Sequence, residues 1–122
     1  MYLLEKADIP YEFAYPEAIY KLLELNLVDF DVWYLMDKER ARERITGLKQ
    51  RYPERRLIPF AKRDDCDDIA CFDAMFNEKV FIIHDFASPG WEQRETFDSV
   101  WEWLRYAINV MIEREKIEMM KY

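Results

Sequence analysis

Apolar positions fall at helical spacing in three segments, with shorter extended runs between them. Tyr15-Pro16-Glu17 reads as a helix entry. Proline suits the first helical position, and Glu17 suits the positive end of the helix dipole. Ile19, Leu22 and Leu23 keep the spacing, and Asn26 is a stop signal. Leu27–Met36 reads as an extended or irregular apolar stretch with Asp29 and Asp31 turned outward. Asp37 predicts the N-cap of a second helix running to about Tyr52. Its apolar stripe is Ala41, Ile45, Leu48 and Tyr52, while Arg40, Arg44 and Arg51 point elsewhere. Gly47 weakens this helix and Pro53 ends it.

Leu57–Ala61 predicts a short strand, at an edge or bulged because Pro59 has no N–H to donate. Lys62–Asp68 is a charged loop. Ile69–Asp73 and Val80–Asp85 read as strands joined by a turn at Ala74–Lys79, an antiparallel hairpin. Ser88-Pro89-Gly90 marks a loop, and Trp91–Phe97 reads as extended. A long helix follows, from about Phe97 to Met119. Its main stripe is Val100, Trp101, Leu104, Ala107, Ile108, Met111 and Ile112. Trp103, Tyr106 and Val110 form a second apolar shoulder. That shoulder is either part of a wide buried arc or a partner or self-association surface. The expected architecture is α+β: a small, mainly antiparallel sheet with N-terminal helices and a long C-terminal helix packed on it. No repeat or linker divides residues 1–122, so one domain is expected.

Composition narrows the functional classes. With 51% hydrophobic and 16% aromatic residues, the chain has ample core despite 35% charge. Two glycines are too few for a dinucleotide-binding fingerprint or a phosphate-binding loop. The charged start, with Glu5, Lys6 and Asp8, does not read as a secretory signal. The longest uncharged apolar run, Val32–Met36, is too short to span a bilayer. Two cysteines imply no disulfide framework, and a cytoplasmic location with reduced thiols is expected.

The net charge of −7 is uneven: −5 over residues 1–36, +6 over 37–63 and −8 over 64–122. The acidic total argues against nucleic acid as a partner; it suits a chain that meets a basic partner, and equally one that is merely soluble. Glu39 and Glu43 lie among the arginines of the basic segment, which reads as a salt-bridged helix face. The densest feature is Asp64, Asp65, Asp67 and Asp68, followed by Asp73. It reads as a solvated, self-compensated loop or as an electrostatic docking loop. Its spacing lacks the glycine and alternation of a calcium loop. Cys66, Cys71 and His84 could in principle form a zinc site or a thiol–imidazole pair. Strand alternation instead buries Cys71 beside Ile69, and the acidic surroundings disfavour a thiolate. No cofactor and no metal are expected.

Three segments carry a resemblance: Leu57-Ile-Pro-Phe-Ala61, Asp68-Ile-Ala-Cys-Phe-Asp73 and Val80-Phe-Ile-Ile-His-Asp85. In order and spacing they resemble the signature region of the SUKH superfamily, over roughly residues 55–108. Phe97–Trp103 is similar to the helix that follows in that superfamily. The chain departs from the pattern at Asp67, where relatives carry glycine, and at Glu24–Asp29, where many carry an Asn-Gly-Gly region. The resemblance implies an α+β fold without enzymatic activity. Bacterial relatives are often immunity proteins that neutralise secreted toxins, and fungal relatives regulate cell-wall assembly.

The expectation is therefore a non-enzymatic protein-binding module of immunity type. Its partner would be a basic toxin domain, met by Asp64, Asp65, Asp67, Asp68 and Asp73 with anchors from Trp91, Trp103 and Tyr106. No nucleic acid and no membrane partner are expected, and a homodimer stays open. The alternatives are a regulatory scaffold acting by self-association and, further off, a metal- or thiol-dependent enzyme.

Overall fold

The computed structural model describes residues 1–76 and 78–120. Asn77, inside the expected Ala74–Lys79 turn, lies outside the described residues. In chain order the elements are α1 (Glu17–Glu24), β1 (Asp29–Phe30), β2 (Trp33–Leu35), α2 (Lys38–Arg51), β3 (Leu57–Arg63), β4 (Asp68–Asp73), β5 (Val80–His84), β6 (Gln93–Phe97) and α3 (Val100–Met120). The strands form one antiparallel sheet in sequence order, β1 to β6. The α+β architecture expected from the sequence is the one observed.

Local signals explain several boundaries. Asn26 takes a left-handed conformation (φ 57°) just after α1. It donates to the Leu23 carbonyl, and the Leu27 N–H donates to the Leu22 carbonyl. That pair of bonds closes the helix end. At the start of α2 the Asp37 side chain accepts the Arg40 N–H at 2.8 Å. The stretch Leu27–Met36 is not one extended piece. Asp31 (φ 74°) turns the chain back, and Phe30 pairs with Trp33 in a tight hairpin. Strand β3 runs two residues further than the sequence suggested. It lies inside the sheet, and Pro59 falls at a bulge beyond the reach of β2, which pairs only with Ala61–Arg63.

Side-chain alternation gives the sheet two faces. Phe72 stacks on Phe60 at 4.4 Å between ring centroids, and Trp103 of α3 meets Phe60, Trp33 and Phe30 edge-on. Ala70, Phe72 and Ile82 point to this side. Ile69, Cys71 and Ile83 point to the other, which α2 covers with Ala41, Ile45 and Leu48. The register of α3 corrects the sequence reading. Val100, Trp103 and Ala107 are buried, while Trp101 and Ile112 are exposed. Trp101 and Trp103 sit about 200° apart on a helix, so periodicity alone cannot choose between them. The aromatic floor of Phe30, Trp33 and Phe60 chooses Trp103. The buried indole N–H groups of Trp33 and Trp103 have no hydrogen-bond partner among the described residues. Their edge-to-face neighbours offer ring faces that can receive such edges.

Candidate interaction surface

Hairpin connectivity fixes which loops share an end of the sheet. The β1–β2 turn, the β3–β4 loop (64–67) and the β5–β6 loop (85–92) all lie at one end. Backbone bonds stitch them together. The Asp64 N–H donates to the Val32 carbonyl at 3.0 Å, and the Asp85 N–H donates to the Asp67 carbonyl at 3.1 Å. Asp31, Asp64 and Asp67 thus reach one rim from distant parts of the chain. All three are exposed, and their carboxylates have no ion-pair partner among the described residues.

The other members of the acidic run are engaged. Asp65 receives two hydrogen bonds from Arg63, at 2.8 and 2.9 Å, and a contact from Arg114 of α3. The Arg63 bonds hold the Asp65 carboxyl below its ordinary range, and Arg63 is raised in turn. Asp68 lies 2.7 Å from His84 Nδ1, so the histidine has a side-chain partner across the β4–β5 pair. Asp73 stands at the far end of β4. It is buried and accepts the Met75 N–H at 2.9 Å, capping the next turn. It does not belong to the rim.

The β5–β6 loop carries two exposed aromatics, while Tyr20, Phe76 and Trp101 are exposed elsewhere. Trp91 is 76% exposed and Phe86 is 59% exposed. Neither sits on a loose strap. Asp85 is buried and receives Arg44 at 2.7 Å and Arg51 through two bonds of 2.7 Å. Its Oδ1 also takes the Phe86 N–H at 2.8 Å. Phe86 is left-handed (φ 71°), and its ring lies 4.1 Å from the Arg51 guanidinium carbon and 5.3 Å from that of Arg44. Tyr52 donates to the Ala87 carbonyl at 2.7 Å. Glu92 receives Arg55 at 2.9 Å and the Gly90 N–H at 2.7 Å. Burial pushes the Glu92 carboxyl up, but these donors outweigh it and hold the group below its ordinary value.

Gly47 belongs to the same clamp. A Cβ there would stand 2.7 Å from both terminal guanidinium nitrogens of Arg51. The missing side chain is the space through which Arg51 reaches Asp85. The sequence offered two signals for this: the seven-residue spacing of Arg44 and Arg51, which puts both on one helix face, and a glycine between them. Asp85 ends an apolar strand, and nothing local marks it as their partner.

One predicted anchor is off the surface and another is only partly on it. Trp103 is fully buried under the sheet. Tyr106 is half-buried, packed on Phe97 at 5.0 Å and Trp33 at 6.2 Å, and burial raises its hydroxyl pKa. Of the second shoulder of α3, Trp103 is core because the sheet's aromatic floor lies beneath it, while Tyr106 and Val110 are only partly covered. The register pairs Cys71 with Phe81 and Asp68 with His84, which puts Cys71 and His84 on opposite sheet faces. Burial drives the Cys71 thiol well above its ordinary value, and Cys66 is exposed in the β3–β4 loop. Among the described residues, no group of His, Cys, Asp or Glu side chains is placed to hold a metal ion. None of their helices is long and apolar enough to cross a membrane.

In comparison with known proteins, no family model, curated protein or solved structure matches this chain.

Proposed function

We propose that the protein is a non-enzymatic protein-binding module that docks a basic partner on the rim formed by the β1–β2, β3–β4 and β5–β6 connections. One observation carries this reading. Two exposed aromatics, Phe86 and Trp91, are displayed on a loop held by buried ion pairs, beside three unpaired carboxylates at Asp31, Asp64 and Asp67. Aromatic anchors on an ordered loop lose little entropy on binding, and the carboxylates speed encounter with a basic surface. The SUKH-like segments support an immunity role: a cytoplasmic chain that covers a toxin domain and neutralises it. In this reading the chain does no chemistry and binds no nucleic acid.

The test is affinity capture from host lysate and secreted fraction at low and moderate salt. Wild-type bait is compared with Trp91→Ala and with an Asp31→Lys/Asp64→Lys/Asp67→Lys variant. The expected result is a basic protein held by wild type, weakened by salt and lost on both variants. A partner held equally by all three baits would refute the assignment of this rim.

A further inference from the structure

The buried face of α3 ends early. Val100, Trp103 and Ala107 are buried, whereas every residue from Ile112 to Met120 is exposed. Packing of one face, more than propensity, holds most helices in proteins. The outward side of α3 carries a pattern of its own. Trp101, Arg105, Ile108, Ile112, Glu115 and Met119 follow one another at spacings of four, three, four, three and four, the seam of a two-helix coiled coil. Ile108 is half-buried and the other five are exposed. At 3.6 residues per turn the seam lies about 130° round the helix from the buried face, so the sheet does not cover it.

The charges in the seam select the occupant. Its spacing reads the same in both directions, so two copies of α3 can pack antiparallel about a two-fold axis midway between Ile108 and Ile112. Ile108 then meets Ile112 of the other copy, Arg105 meets Glu115, and Trp101 meets Met119, each contact occurring twice. Along one flank Glu102 meets Lys116. A parallel pair would set Arg105 on Arg105 and Glu115 on Glu115. Slipping the antiparallel pair by one heptad would set Arg105 against Ile108 or Glu115 against Ile112. Charged groups in a seam fix direction and register in this way. They are available for it. Glu115 has no ion-pair partner among the described residues, and the Arg105 contact with Glu102 is long, at 4.0 Å. The exposed end of each α3 would lie on the first turn of the other, where a cleft between α1 and α3 is lined by Tyr20, Lys21 and Trp101. A flexible thioether such as that of Met119 suits a place beside aromatic rings.

We propose that the outward face of α3 pairs with the same face of a second copy, as an antiparallel helix pair with Ile108 and Ile112 at its centre and Arg105–Glu115 pairs on either side. Trp103 stays in the core of each copy. This pairing does not depend on the docking function proposed above.

Sedimentation velocity from micromolar to near-millimolar concentration tests it, on wild type, Arg105→Glu, Glu115→Arg and the double swap. Both side chains are exposed, and circular dichroism of each variant checks that the fold is kept. Wild type is expected to dimerise with concentration. Each single swap should weaken the dimer about tenfold or more, because it sets two like-charged pairs in the seam. The double swap, and an equimolar mixture of the two single variants, should each restore it to within a few-fold. Direction is read with a short bis-maleimide in a Cys66→Ser background. Asn109→Cys lies beside the axis and should crosslink to its copy. Lys116→Cys would stand about 21 Å from its copy along the helices and should not. A chain monomeric throughout would leave this face to a different protein and overturn the proposal. So would a dimer indifferent to the single swaps, one not rescued by the double swap, or the reverse crosslinking pattern.

Discussion

Arg51 crosses from the last turn of α2 to Asp85, just past β5, and donates two hydrogen bonds of 2.7 Å to a carboxylate that solvent does not reach. Arg44 completes the cluster from one helical heptad earlier. The three side chains fix the start of the β5–β6 loop against α2 and hold Phe86 over the two guanidinium groups.

Removing Asp85 leaves two half-buried guanidinium groups without their carboxylate. Asp85→Ala should destabilise the fold by about 3–5 kcal/mol, read as a lower urea midpoint with little change in slope. A loss below about 1 kcal/mol would show that the cluster is held by something else.

Gly47 gives a prediction whose sign reverses with its partner. In wild type, Gly47→Ala displaces the Arg51 guanidinium, losing charge-assisted bonds of about 1.5–3 kcal/mol against a helix gain of about 1 kcal/mol. The substitution should therefore destabilise. In an Arg51→Ala background only the helix gain remains, and it should stabilise. A double-mutant cycle in urea reads both signs.

Trp103 and Trp101 separate core from surface on α3. Trp103→Ala should cost about 3–5 kcal/mol, because it empties the space among Phe30, Trp33 and Phe60. Trp101→Ala, at a half-exposed site, should cost far less. Equal losses would mean that α3 sits in another register.

Acid should loosen the rim. The Glu92 and Asp65 carboxyls are both held below their ordinary values in the folded protein. Groups of this kind contribute stability that is present above the unfolded pKa and lost as pH falls through the folded one. For Glu92 the loss begins below the ordinary value of 4.5. Arg55→Met should flatten that part of the stability-against-pH curve. An unchanged acid limb would remove Glu92 from the account.

The two thiols should differ in kind. Cys66 is exposed and its pKa is raised by partial burial, so a thiol reagent should label it slowly at neutral pH and faster as pH rises. Cys71 should react only when the chain unfolds. Labelling of Cys71 under native conditions would contradict the burial of β4.

The sequence by itself determined what depends on near neighbours. The Asp37 cap, the Asn26 stop, the β4–β5 hairpin, the Pro59 irregularity and the burial of Cys71 each follow from a residue and the few around it, and all were legible. The α+β class followed from the order of these elements. Tertiary structure decided the rest. α3 carries apolar residues around much of its circumference, so only the aromatic floor of the sheet could choose Trp103 over Trp101. Asp73 looked continuous with the acidic run, yet strand length carries it to the other end of β4. Arg44 and Arg51 looked like a solvated face until the end of β5 brought Asp85 beneath them. In each case the deciding contact joins segments more than thirty residues apart, or opposite ends of a strand, and no local pattern encodes that distance.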